Sequence, residues 1–62
     1  MPMTPKQMVK HLKKNGFKKL RQRGSHLFME NPVTGKRTTV PMHSKDLDKG
    51  TEEGILKQAG LK

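Results

Sequence analysis

Cysteine, tryptophan and tyrosine are missing from this chain, and phenylalanine occurs only twice. Without cysteine there is neither a disulfide framework nor a thiolate metal site, a pattern that suits a reducing compartment. With 29% apolar residues, 62 residues can build only a thin core, because a domain this small hides only about 60% of the surface its unfolded chain exposes. Long apolar runs are absent as well. None reaches the length of a membrane span or a signal-peptide core, so we expect a cytoplasmic protein with no membrane partner.

Negative charge is the other scarcity: five Asp or Glu stand against fourteen Lys or Arg, for a net charge of +9. The excess is uneven. Residues 1–40 carry ten Lys or Arg against the single Glu30, whereas residues 41–62 carry four of each sign. Such a field draws polyanions and raises their encounter rate, and nucleic acid is the polyanion most available in a cytoplasm. The plainer alternative is a solvated basic surface that keeps the protein soluble.

The periodic segments argue for one folded domain over residues 1–62. In "MTPKQMVKHLKKNGF" Thr4 is placed to cap a helix, Pro5 suits its first position, and Gln7 completes a Thr-x-x-Gln capping box. Gly16 is placed to close the same helix and return Phe17 to Leu12. Met8, Val9 and Leu12 form its apolar stripe, with Lys6, Lys10, Lys13 and Lys14 on the other faces. Two short extended runs flank Gly24, which supplies the positive φ of a tight hairpin. A second turn, "NPVTG", leads to the β-branched run "KRTTVPM", where Pro41 belongs at a strand end or on an edge. An irregular connection over residues 46–50 then leads to a last helix, capped by Thr51, with Glu52 and Glu53 in its first turn and Gly60 at its close. The expected fold class is α+β: helix, three-stranded antiparallel sheet, helix, with both helices on one sheet face.

The chemistry concentrates at "RQRGSHLFMEN". His26 opens the second strand beside the Gly24-Ser25 turn, at the rim of the sheet. If Phe28 points inward, the two-residue period puts His26 under the helices; if Leu27 and Met29 do, His26 faces solvent. Both Phe17 and Phe28 are expected in the core, which leaves no platform for stacking bases and implies weak sequence preference. An imidazole, with an ordinary pKa of about 6.5, can take or give a proton near neutrality. It could therefore assist a ribose 2′-OH in attacking its neighbouring phosphorus while cations stabilise the phosphorane. Lys18, Lys19, Arg21, Arg23, Lys36 and Arg37 are the candidate grips on the RNA backbone, and Ser25 adds a hydroxyl. The bland alternative for His26 is a hydrogen-bonded surface residue beside a turn. His43 could be an auxiliary imidazole, though a hydrogen bond to its own loop is the favoured reading, and His11 belongs to the polar side of the first helix. No ligand spacing links His26, His43, Asp46 and Asp48, so we expect no metal and no cofactor.

Taken together, "GFKKLRQRGSHLFM", "NPVTGKRTTVPMHSKDLDKGT" and "ILKQAGL" resemble the HicA toxin family, in order and spacing, over nearly the whole chain. The resemblance implies a fold similar to the double-stranded-RNA-binding domain and activity as a ribosome-independent mRNA interferase. It also implies a HicB-type antitoxin partner that covers the active surface. On that likeness His26 takes the place of the catalytic histidine in the Gly-Ser-His motif, and Gly24 is its turn glycine. The likeness departs at Leu27, where many relatives carry a polar residue or histidine, and at Asn31, where they carry histidine before the proline of the turn. A non-catalytic RNA-binding module of the same architecture is the rival reading. A DNA-binding helix-turn-helix does not fit, because three strands separate the two helices, and no DNA contact is expected of this chain alone.

Overall fold

The computed structural model describes residues 3–42 and 45–62. The elements follow the order α1 (Pro5–Lys14), β1 (Lys18–Arg23), β2 (His26–Glu30), β3 (Arg37–Pro41) and α2 (Lys49–Gln58). Helix α1 begins where its sequence punctuation demands. The Thr4 hydroxyl accepts from the Gln7 N–H at 3.2 Å, and Gln7 Oε1 accepts from the Thr4 N–H at 2.9 Å, completing the capping box. It ends in a Schellman closure: Gly16 sits at φ +91°, and the Phe17 N–H donates to the Leu12 carbonyl at 3.0 Å.

That closure is fastened to the sheet by one amide. Asn31, only 7% exposed, donates from Nδ2 to the Asn15 carbonyl at 3.1 Å. Its Oδ1 accepts from the Val33 and Thr34 N–H groups at 2.9 and 3.3 Å. A Cβ on Gly16 would stand 3.2 Å from that Nδ2, so the close approach also favours glycine there. Asn31 therefore joins the end of α1 to the β2–β3 turn.

The three strands form an antiparallel sheet in the order β1-β2-β3. Burial along β2 alternates: Leu27 and Met29 are buried, and the residues beside them are not. Leu27 pairs with Val40 and Met29 with Thr38, so these four share the face that the helices cover. Met8 and Leu12 of α1, with Ile55 and Ala59 at α2, seal that layer into one cluster. The Thr38 hydroxyl, buried in it, lies 3.0 Å from Gln58 Oε1 and 3.4 Å from the Ile55 carbonyl. Burying each such apolar side chain is worth about 1.5–3 kcal/mol, which is how so small a chain holds together.

Helix α2 starts earlier than its sequence suggested. Asp48, not Thr51, is the N-cap, and its carboxylate accepts from both the N–H and the hydroxyl of Thr51. Those hydrogen bonds, the side-chain one foremost, hold the Asp48 carboxyl below its ordinary value. A carboxylate takes the cap because it accepts more strongly than a hydroxyl and also complements the helix dipole. The connection is shortened accordingly. Glu52 remains in the first turn, while Glu53 lies beyond it and pairs with Lys62 at 2.9 Å. At the far end Gly60, φ +74°, lets the Leu61 N–H reach the Leu56 carbonyl at 2.9 Å. No helix among the described residues is long and apolar enough to cross a membrane.

Candidate functional site

The side of the sheet away from the helices carries the polar residues. With Leu27 and Met29 turned toward the helices, His26, Phe28 and Glu30 share the other face, and His26 is exposed. The strand register adds their neighbours. Arg23 lies across from His26 and Arg21 across from Phe28 on β1, while Pro41, Thr39 and Arg37 stand opposite on β3. Directly paired residues hold their Cβ atoms about 4.5–5.5 Å apart, so the guanidinium of Arg23 can meet a phosphate presented to His26. A two-residue turn fixes that pair. Gly24 has φ +58°, Ser25 does not share the positive sign, and this is the pattern of a type II′ hairpin with glycine first. The Ser25 carbonyl accepts from the Met42 N–H, which ties the turn to the end of β3.

Phe28 is not in the core. Phe17 is 2% exposed, but Phe28 is half-buried on the open face, with the Arg21 guanidinium 5.3 Å from its ring centroid. The cation lies over the ring's negative face. The ambiguity in the sequence was which residues of "HLFM" face inward. Val40 settles it from the neighbouring strand, because it pairs with Leu27 and completes the apolar layer.

A bulge decides how the β1 cations divide. Register slips between Lys19 and Arg21, leaving Leu20 unpaired and 51% exposed. Lys18, Arg21 and Arg23 consequently share the face of His26, whereas Lys19 pairs with Met29 and falls on the other. Arg37 is on the His26 face but donates from Nε to Glu30 at 2.7 Å. Lys36 lies against the end of α2, its Cδ and Cε 2.7 Å from where a Cβ on Gly60 would sit. Ser25 borders the turn, half-buried. His43 lies outside the described residues. Arg21 and Arg23 thus flank His26 and Phe28, with Lys18 farther along the same face across from Glu30; Lys19 and Lys36 do not join them.

Between this face and α2 runs a shallow groove of 340 Å³, bounded by His26, Thr39, Pro41, Thr51, Gly54 and Gln58. A second depression, of 470 Å³, includes Leu20, Arg21, Phe28, Thr39 and Gln58. Thr39, Gly54, Gln58 and Phe28 were not singled out from sequence as site residues. Their signal was present only as period-two alternation in β3 and as an otherwise unfavourable glycine inside α2. Among the described residues no group of three or more His, Cys, Asp or Glu is arranged to hold a metal ion. The arrangement can receive a phosphodiester, neutralise it with guanidinium groups and present one imidazole to it.

No curated protein matches the chain. The model of a family described as the HicA toxin of bacterial toxin-antitoxin systems matches residues 5–61, α1 through the closure of α2. The chain therefore belongs to the HicA toxin family, whose members act as toxins paired with an antitoxin.

Proposed function

We propose that this toxin is a ribosome-independent endoribonuclease that cleaves mRNA on the open face of its sheet, with His26 transferring a proton at the scissile phosphate. The observation that carries the reading is the position of His26. It is exposed, cross-strand from Arg23, and at the mouth of a groove that a polynucleotide can enter.

In the proposed reaction the ribose 2′-OH gives up its proton as O2′ bonds to phosphorus. The P–O5′ bond then breaks, and the departing oxygen takes a proton. The products are a 2′,3′-cyclic phosphate and a 5′-hydroxyl. His26 serves in one of the two proton transfers, for which imidazole is suited near neutral pH. Arg23, across from His26, stabilises the phosphorane, while Arg21 and Lys18 hold the backbone farther along the same face. Ser25 and Gly24 shape the corner at which the phosphate sits. No metal or cofactor takes part in this scheme.

The partner that restrains it is a HicB-type antitoxin with acidic side chains directed at the cationic open face. Charge complementarity supports this, since the described residues offer one acid on that face, Glu30, and Arg37 already engages it. Incubation with RNA in excess chelator tests the activity. Wild-type protein should fragment the RNA and His26→Ala should not; equal cleavage by both, or binding without cleavage by either, would leave only an RNA-binding module. For the partner, protection of His26 from chemical modification in the inhibited complex is the expected result.

A further inference from the structure

We propose that Phe28 and Arg21 form a seat for one nucleobase of the bound single strand, beside the scissile phosphate. The proposal rests on the RNA-cleaving reading above for its choice of ligand, and it goes beyond that reading by giving the toxin a source of sequence preference. The sequence had left no aromatic available for stacking. The structure supplies one.

Three observations converge on this spot. First, Phe28 follows His26 by two residues on the same strand and the same face, which separates them by roughly 7 Å, within reach of one nucleotide. Second, its ring is half-buried on the open face, borders a depression, and has Arg21 drawn over it at 5.3 Å. Bases of single-stranded RNA stack on both aromatic rings and guanidinium planes, so a base can add to the pair on the exposed side of the guanidinium. Third, β3 borders the depression with polar groups on the same face as Phe28, at Thr39 and Arg37. Thr39 pairs directly with Phe28 on that face, and its hydroxyl is the group placed to meet a base edge. Leu20, displaced outward by the bulge, supplies an apolar wall.

A nucleobase fits this chemistry better than an acidic peptide, which would use Arg21 but gain nothing from the ring beneath it. A seat of this kind favours bases by stacking strength and by one hydrogen bond, so its preference should be graded rather than absolute.

The test separates base from backbone. In a His26→Ala background, which prevents turnover, binding of a short single-stranded RNA is compared with that of the same strand carrying an abasic position across from Phe28, scanned along the strand. The intact strand should bind about five-fold or more tightly at one abasic register. Phe28→Leu, which keeps apolar volume without a π face, should lower affinity for the intact strand and erase the difference. Phe28→Trp should restore it. Thermal melting of each variant verifies folding. Equal binding of intact and abasic strands by the parent protein would overturn the proposal, as would a Phe28→Leu defect confined to the antitoxin. Base discrimination in a protein that proves unable to cleave RNA would uphold the seat while removing the nuclease reading.

Discussion

The two faces of the sheet are made from alternate residues of the same strands, and they do opposite work. Toward the helices β2 turns Leu27 and Met29, met by Val40 and by a Thr38 whose hydroxyl is satisfied. Toward solvent it turns His26, Phe28 and Glu30 among guanidinium groups. Stability belongs to one side and the proposed chemistry to the other. In so thin a protein, substitutions two residues apart touch one property and substitutions one residue apart touch different ones.

The contrast between faces is sharpest for His26→Ala against Met29→Ala. Removing the imidazole should lower RNA cleavage by about 10²-fold or more, the usual scale of general acid–base catalysis, with the melting temperature unchanged. Truncating Met29, which is fully buried, should remove about 2–5 kcal/mol of stability, enough to unfold much of a marginal domain in a chemical denaturation series. If His26→Ala melted as Met29→Ala does, the division of labour would fail.

Smaller effects sharpen the same division. Lys18, Arg21 and Arg23 predict a log-log salt slope of about −2 for single-stranded RNA, and Arg23→Ala should make it shallower by about 0.7. Lys19→Ala, on the opposite face, should leave the slope nearly unaltered. Filter binding over a salt series measures both. Gly54 is exposed, lines the groove beside His26, and would meet nothing within 4 Å if it carried a Cβ. Gly54→Ala should therefore stabilise α2 by about 1 kcal/mol while slowing cleavage, because the added methyl enters the groove.

The smallest effect concerns the N-cap of α2. Since hydrogen bonds depress the native pKa of Asp48, its contribution to stability is complete above the ordinary carboxylate value. It declines as pH falls through that value and is gone below the native one. The difference in melting temperature between wild type and Asp48→Ala should shrink on acidification along that course. A difference independent of pH would mean that the carboxylate's charge plays no part.

Features encoded by neighbouring residues were legible in the sequence. Thr4, Pro5 and Gln7 specify the start of α1 among themselves, and Gly16 and Gly60 mark closures that depend on local φ. The hairpin at Gly24-Ser25 is equally local. What could not be read there required a neighbour distant in sequence. Which of Leu27 and Phe28 turns inward depends on Val40 and on the helices that cover it. Asp48 and Thr51 both carry capping side chains three residues apart, and the sequence does not show which of them starts the helix. The bulge at Leu20, which puts Lys18 rather than Lys19 on the face of Arg21 and Arg23, has no glycine or proline to announce it. Asn31 looked like a turn residue, and only the end of α1 reveals its second bond.

End-group analysis of RNA incubated with this protein tests the central claim most directly. A 2′,3′-cyclic phosphate that appears with wild-type protein and disappears with His26→Ala is the outcome this account requires. A 3′-hydroxyl with a 5′-phosphate, or cyclic ends produced equally without the imidazole, would contradict it.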